Sequence, residues 1–161
     1  MLTTGLIMRI SPLHMAHLFS HAGAPWLTQY WVRRIKKEVF GDITPFGGYN
    51  GDEDQGQMGA LGVLMAIGLF DVQGGASTTP QYEITSPIFD KITIQLDNRY
   101  YPGKEVVIET VNNSPKNVYI QRVSWNGVEH SSFQLAHEEL VKGGHLVIEL
   151  GDTPNKSWGV N

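Results

Sequence analysis

Apolar residues recur with helical spacing in the first part of the chain and alternate with polar residues in the second part. The change falls between about residues 70 and 82. Amphipathic helices repeat their apolar positions every three to four residues, whereas a half-buried strand repeats them every second residue. The sequence therefore predicts an α region at residues 1–72 and a β region at residues 81–161. The loop at residues 73–80, rich in glycine and threonine, joins them.

Two helices are predicted in the first forty residues. Ser11 and Pro12 fit the N-cap and first-turn proline of a helix that runs to about residue 22 and ends at Gly23. The second helix begins near Pro25 and stops at Gly41, with lysines and arginines near its C-terminal end, where cations suit the helix dipole. The stripe expected to be buried on this second helix comprises Leu27, Trp31, Ile35 and Val39.

A third helix is predicted over residues 53–69, and it is apolar on nearly every side. Such a helix is normally enclosed by neighbours. Its glycines at positions 56, 59, 62 and 68 each cost about 1 kcal/mol relative to alanine, which favours close packing against another backbone. Three helices are too few to enclose one of their own number. We therefore expect helical partners upstream in a parent protein, or in another chain.

Strands are predicted at residues 91–96, 105–111, 117–125 and 145–150. Turn sequences lie at Asn113-Ser114-Pro115 and at Asn126-Gly127. Together these segments predict an antiparallel sheet or a small sandwich.

Composition narrows the classes of function. The chain has 161 residues, 41% of them hydrophobic, with a formal net charge of −4 and no cysteine. The absence of a broad basic surface argues against nucleic acid or an anionic membrane as a partner, and favours a neutral ligand. Disulfides and thiolate metal sites are excluded. Residues 1–10 lack the features of a signal peptide, and no apolar run is long enough to span a bilayer.

Three consecutive carboxylates, Asp52, Glu53 and Asp54, lie in a glycine-rich loop just before the third helix. One interpretation is simple capping, because acidic groups at a helix N-terminus are stabilised by the helix dipole. The other is chemical: adjacent carboxylates can hold a divalent cation, or one can act as general base toward water. The spacing begins like a calcium loop, but the later ligands of an EF-hand are missing.

His14, His17 and His21 share one helical face at spacings of three and four residues. A zinc site is one interpretation, but no carboxylate stands nearby at ligand spacing. A polar face that lines a sugar pocket is favoured instead. Tyr49, in the acidic loop, is the preferred aromatic platform for a sugar. The other aromatic candidates are Trp26 and Trp158, whereas Trp31 and Trp125 are expected to pack in the core.

Several segments resemble the C-terminal third of the α-mannosidases of glycoside hydrolase family 92. Residues 21–29 read His-Ala-Gly-Ala-Pro-Trp-Leu-Thr-Gln, residues 51–58 contain the acidic loop, and residues 82–89 read Tyr-Glu-Ile-Thr-Ser-Pro-Ile-Phe. The resemblance covers about residues 11–159. It implies the last helices of an (α/α)6 toroid followed by a small antiparallel β appendage. It also implies a calcium-dependent enzyme that removes terminal α-linked mannose from glycans with inversion.

The resemblance assigns roles to individual residues of this chain. Asp54 falls on the general base, and Asp52 stands beside it as a second carboxylate and candidate calcium ligand. Glu53 completes the acidic loop and is a candidate for substrate binding, together with Tyr49, the aromatic residue of the loop, and His14 on the polar helical face. The catalytic acid of the family lies upstream of Met1. The isolated chain is therefore expected to be inactive without an upstream half, and the parent protein is expected to be periplasmic or secreted.

The chain also departs from the family pattern. Met8-Arg9 stands where the family has an Asn-Glu pair, and Gly59-Ala60-Leu61-Gly62 replaces Ser-Ala-Trp-Tyr. The loop between residues 40 and 51 is also atypical. These differences bear on pocket shape and substrate preference. They leave open a second function, a non-catalytic carbohydrate-binding or scaffolding module derived from such an enzyme.

Overall fold

The computed structural model describes residues 13–44 and 56–160. A 3-10 helix at Leu13–His17 leads directly into helix α1 at Leu18–His21, and helices α2 and α3 span Pro25–Glu38 and Gln57–Ile67. None of the helices in these ranges is long and apolar enough to cross a membrane. The strands are β1 Leu69–Phe70, β2 Gln81–Ile84, β3 Lys91–Gln95, β4 Glu105–Val111, β5 Tyr119–Trp125, β6 Val128–Glu129, β7 Gln134–Ala136 and β8 Gly144–Gly151. A short helix α4, His137–Leu140, precedes β8.

The first predicted helix is present, but its first described turns are 3-10 rather than α. Its end is as expected. Gly23 adopts a φ of 76° and donates its backbone N–H to the carbonyl of Ser20, which satisfies one of the free carbonyls at a helix C-terminus. The predicted N-cap, Ser11, lies outside the described residues.

Helix α2 begins at Pro25, as predicted, but a different face of it is buried. Thr28, Gln29 and Val32 are buried, whereas Leu27 is only partly covered. The polar pair can be buried because each side chain has a partner: Thr28 Oγ1 accepts the N–H of Ser20, and Gln29 Oε1 accepts the N–H of Ile120. The predicted stripe is therefore covered in part: Val39 is buried, and Trp31 and Ile35 are half-buried against apolar residues of α2 and α3.

Helix α3 ends at Ile67, two residues earlier than predicted, because Gly68 turns the chain into β1. Gly68 has a φ of 77°, and a Cβ at this position would lie 2.6 Å from the ring of Pro87. Only glycine tolerates both conditions. Leu69 and Phe70 then pair with Ile84 and Glu83 of β2. The strand pattern thus begins inside the segment that was expected to be helical.

The strands form two sheets. A three-stranded antiparallel sheet has the order β1-β2-β7, and a five-stranded sheet has the order β3-β4-β8-β5-β6. In the larger sheet β4 and β8 are parallel, so the prediction of an antiparallel sheet is wrong for this pair. The β5–β6 turn is as predicted, with Asn126 and Gly127 at φ values of 52° and 80°, which matches the type I′ hairpin turn.

Two apolar clusters hold these elements together. The larger one lies on the inner face of the sheets and includes Ile108 and Ile148, and the smaller one lies among α2, α3 and β1 around Val32 and Met65. Helix α3 is buried on one side only, since the side chain of Val63 on its other side is 59% exposed. The described residues of this chain therefore do not enclose helix α3, although its apolar sequence predicts neighbours on nearly every side.

Candidate functional site

The acidic loop that carries the predicted chemistry lies outside the described residues. Tyr49, Asp52, Glu53 and Asp54 all belong to the range 45–55. The structure does describe both sides of this loop. Asp42 precedes it and accepts two hydrogen bonds from Thr44, which lower the pKa of the Asp42 carboxyl. Gly56 follows it, with a φ of 97°, as the N-cap of α3. The loop therefore connects the region after α2 to the start of α3.

His14 belongs to the 3-10 helix and is half-buried. The three histidines expected on one face do not form a metal site: across residues 13–44 and 56–160, no group of three or more His, Asp or Glu side chains is arranged to hold a metal ion. The predicted calcium ligand Asp52 is outside these ranges. The described donors therefore provide no calcium site by themselves.

The other two histidines of this face contact a buried carboxylate instead. His21 Nε2 lies 2.6 Å from Glu83 Oε1, and His17 Nδ1 lies 3.4 Å from Glu83 Oε2. The side chains of His17 and Glu83 are 0% and 2% exposed. Phe70 stacks on the His17 ring with a centroid separation of 3.8 Å, and Phe133 meets the His21 ring edge-on. A buried carboxylate requires a hydrogen-bond donor beside it, and the His21 imidazole is placed to supply one. His17 lies within ion-pair distance of Glu83, but the two ring nitrogens of His17 and the Oε2 atom of Glu83 have no hydrogen-bond partner among the described residues.

Burial sets the protonation of the inner histidine. It lowers the pKa of His17 below its ordinary value, and the charges of His14 and His21 act in the same direction, while Glu83 opposes the shift. His17 is therefore held as a neutral ring near neutral pH. The more exposed His21 is the member of the cluster that reaches solvent, with 37% of its side chain accessible.

The aromatic candidates divide between core and surface. Trp158 is buried, and its indole N–H donates to the carbonyl of His130, so it packs in the core and does not offer a sugar platform. Trp31 and Trp125 are partly buried against the two apolar clusters, as predicted. Trp26 remains half-buried, with the ammonium of Lys156 5.9 Å from its ring centroid.

A groove of about 630 Å³ lies between the C-terminal end of α2 and the connection from β4 to β5. At its wall the guanidinium of Arg33 donates to the side chain of Asn113 and to the carbonyls of Ser114 and Asn117. Burial lowers the pKa of both Arg33 and Lys36, which also lines the groove. These contacts make Arg33 a bridge between the helical region and the larger sheet.

Sequence reasoning missed Glu83 and Arg33 as organising residues. The local sequence carried no signal for Glu83, because Tyr-Glu-Ile-Thr alternates as a half-exposed strand does, whereas the structure also buries Glu83 and Thr85 on the second face. A strand that is buried on both faces yet carries a carboxylate on one of them predicts a buried partner for that carboxylate. The position of its partners depended on tertiary structure.

Solved structures with a similar fold include two mannosidases of Bacteroides thetaiotaomicron. The family 92 α-mannosidase BT3965 of Bacteroides thetaiotaomicron superposes with a TM-score of 0.82 at 30% identity, over 92% of this chain and 19% of that enzyme. The family 92 inverting mannosidase BT2199 of the same species gives a TM-score of 0.79 at 34% identity, with the same coverage of each chain. This chain thus spans about one fifth of their length.

A relative found by sequence agrees with the solved structures. A secreted glycosidase of Arthroderma benhamiae is 33% identical over 144 residues, which is 88% of this chain and 17% of that protein. The sequence profile of the glycosyl hydrolase family 92 catalytic domain matches residues 11–152. That match spans most of the chain and includes both the acidic loop and the histidine–glutamate cluster, so the chain belongs to glycoside hydrolase family 92.

Proposed function

We propose that this chain carries the general-base side of an inverting α-mannosidase site and acts together with further polypeptide of the same family. Family membership supports the hydrolase class, and BT2199 is an inverting mannosidase. The observation that carries the proposal is the match of almost the whole chain to about one fifth of such enzymes. A part of this size contributes some of the catalytic groups, and the remaining groups come from elsewhere in the assembled enzyme.

The proposed chemistry needs two carboxyl groups on opposite sides of the sugar. In an inverting glycosidase one carboxylic acid protonates the leaving oxygen and a carboxylate activates water on the other face, with about 6.5–9.5 Å between them. Asp54 is the proposed base, which accepts the proton of the attacking water as the glycosidic bond breaks. Asp52 is the proposed neighbour that orients this water. The acid belongs to the polypeptide that completes the site.

The proposed substrate is terminal α-linked mannose on a glycan. BT3965 has been solved in complex with mannoimidazole, which supports a mannose-shaped pocket in this family. Glu53, Tyr49 and His14 are the proposed sugar contacts on this chain. Calcium is the proposed cofactor, with Asp52 as a ligand, and when bound it would supply a positive charge to the site.

The proposed cellular location rests on a relative of this chain. The Arthroderma benhamiae relative is a secreted glycosidase. We therefore propose that the parent protein is exported, to the periplasm or beyond the cell.

Exposed apolar residues on the helical side fit a chain that is completed by more polypeptide. Met15 and Leu18 on the first helical segment, and Val63 on α3, are all exposed. A groove of about 490 Å³ beside α3 has glycines at positions 59 and 62 on its wall, with Phe89 at its edge. Apolar patches of this kind mark surfaces that a partner covers. The expected occupant is the helical part of the enzyme that this chain does not include.

The first experiment compares the isolated chain with a chimera in which it replaces the matching segment of BT3965. The isolated chain should not hydrolyse an aryl α-mannoside, because one carboxylate cannot serve as both acid and base on opposite faces. The chimera should hydrolyse it, with β-mannose as the first product detected by NMR. Turnover by the pure isolated chain that Asp54→Asn abolishes would place the acid within these 161 residues and overturn the proposed division.

Substitution of the base is the most direct test within the chimera. Asn keeps the size of Asp54 but cannot accept a proton, so Asp54→Asn should lower kcat about 10²–10⁴-fold. Binding of mannoimidazole should change little. The matched control is Asp152→Asn, at an exposed carboxylate far along the chain in the turn after β8, which should leave kcat unchanged. Activity near that of the wild type in Asp54→Asn would reduce the acidic loop to a helix cap.

Calcium titration separates the two carboxylates. If Asp52 is a ligand, Asp52→Asn should raise the calcium concentration needed for half-maximal rate, and added calcium should restore part of the rate. Asp54→Asn should not respond in this way. Full rescue of Asp54→Asn by calcium would show instead that Asp54 is the calcium ligand. A wild-type chimera that binds mannoimidazole without any turnover would instead favour the second candidate function, a non-catalytic carbohydrate-binding module.

A further inference from the structure

Among residues 13–44 and 56–160, Glu83 is the only acidic residue that is buried. Its carboxylate has two neighbours of opposite potential charge, His17 and His21. Removing a carboxylate from water is strongly unfavourable unless it gains well-placed partners. The chain therefore maintains this carboxylate in the interior through contacts to a single short segment, the helical turns at residues 13–21 (hereafter the histidine segment).

The histidine segment has few other polar links to the rest of the molecule. Ser20 and the carbonyl of His17 bond to Thr28 of α2, which is the next helix along the chain. Within the described ranges, every side-chain hydrogen bond or ion pair from the histidine segment to the two sheets ends on Glu83. Glu83 is thus the polar contact that fixes this segment relative to the sheets.

His14 lies on the same side of the histidine segment as His17. It stands three residues before His17 in a 3-10 helix, where side chains at this spacing eclipse one another. A displacement of His17 therefore moves His14 in the same direction. His14 is half-buried rather than enclosed, and the proposed function places it against the sugar.

We propose that Glu83 is a positioning residue: by binding His17 and His21 it fixes the histidine segment against the sheets and thereby sets the position of His14. This inference rests on the proposed function, in which His14 contacts the sugar. Glu83 does not touch the substrate in this proposal. It acts through two imidazoles, and its loss should disturb sugar binding more than the chemical step.

The structural test uses the 161-residue chain and NMR of its imidazole groups. Glu83→Gln removes the charge at nearly constant shape, and His21→Gln, at a partly exposed site, removes one partner with less risk to folding. The matched control is Glu138→Gln, at an exposed carboxylate of α4. Both test variants should shift the His14 ring resonances. Exchange of the Ala22, Gly23 and Ala24 amides, which donate to the carbonyls of α1, should rise about tenfold, equivalent to about 1.4 kcal/mol.

Unchanged His14 resonances and unchanged amide exchange in both variants would overturn the proposal. Stoichiometric zinc in the wild-type chain, lost in Glu83→Gln, would also overturn it, because the cluster would then be a metal site. A structural role without consequence for His14 predicts shifts at His17 and His21 alone, and this outcome also counts against the proposal.

The kinetic test uses the chimera. Glu83→Gln should raise KM for the aryl α-mannoside about threefold to tenfold, the scale of one displaced hydrogen bond, with kcat nearly unchanged. Glu83→Asp, which keeps the charge, should recover part of the change. A loss confined to kcat would overturn the positioning role. A chimera that is inactive with Glu83 intact would count against the proposed function, while the NMR measurements would still decide whether Glu83 positions His14.

Discussion

The two regions of this chain bury their side chains in different ways. In the five-stranded sheet the central positions are apolar and fully covered, with Val106, Leu146 and Ile148 all at 0% exposure. In the helical region several fully buried positions are polar, among them His17, Thr28 and Gln29, while apolar Met15 and Val63 are exposed. The five-stranded sheet thus has an apolar centre, whereas the buried part of the helical region contains several polar side chains.

The largest expected effect tests the first half of this comparison. Ile148→Ala, in the middle of β8, should lower the free energy of unfolding by about 2–5 kcal/mol, because it leaves a cavity at a fully buried position. The measurement is urea denaturation of the isolated chain. The matched control is Ile43→Ala, since the Ile43 side chain is fully exposed and its loss should change stability by less than about 0.5 kcal/mol. Equal effects at both positions would remove the contrast between the regions.

The next effect concerns the contact between the regions. Arg33→Met should destabilise the chain by about 1.5–3 kcal/mol, because the acceptors of the β4–β5 connection lose a charged donor. Arg34→Met is the control, since the Arg34–Glu38 pair is exposed on α2 and should contribute less than about 1 kcal/mol. If both substitutions behave alike in chemical denaturation, the two regions are joined by apolar contacts alone.

A smaller effect should appear on acidification. The pKa of His17 is lowered by burial in the folded chain, so below the ordinary histidine pKa the unfolded state binds a proton that the folded state does not. Stability should therefore fall as pH drops below 6.5, by at most about 1.4 kcal/mol per pH unit. His17→Phe should flatten this dependence between the lowered pKa and 6.5. His145→Gln, at an exposed histidine, should leave it intact.

The smallest effect on stability should come from the open face of α3. Val63→Lys should change the free energy of unfolding by less than about 0.5 kcal/mol, since Val63 is already exposed. It should nevertheless lower the binding of a hydrophobic dye and the light scattering of concentrated chain, because it interrupts an apolar surface. Thr93→Lys, on the exposed face of β3, should change neither. A wild-type chain that is silent to dye and monomeric would show that the helical face needs no cover.

The sequence pattern correctly predicted those elements whose formation depends on residues adjacent in the chain. The alternation of apolar residues predicted strand β4 at its observed bounds, Glu105–Val111, because the residues on one face of that strand are buried and those on the other face are more exposed. Pro25 marked the start of α2, since its ring suits the first helical turn. The turn at Asn126 and Gly127 was evident because few other residues adopt positive φ.

Features that depend on distant partners were not predictable from those patterns. The pairing of His21 with Glu83 joins residues 62 positions apart, and nothing in the histidine spacing indicates a carboxylate on a strand. The burial of Gln29 on α2 was also not predicted, because it depends on a bond to the backbone of β5. The family resemblance gave the acidic loop its chemistry, and that assignment remains a prediction for Asp54 and Asp52, which lie outside the described residues.

The position of β8 between β4 and β5 has a consequence for how the chain is made. Strands β3 to β6 leave the ribosome before β8, yet β4 and β5 do not pair with each other, and each pairs with β8. The nascent polypeptide therefore presents two unpaired strand edges until its last strand has been translated. Such edges recruit other chains. A stop codon or a stalled ribosome before residue 144 should thus yield a product that aggregates or needs a chaperone rather than a shortened but soluble domain.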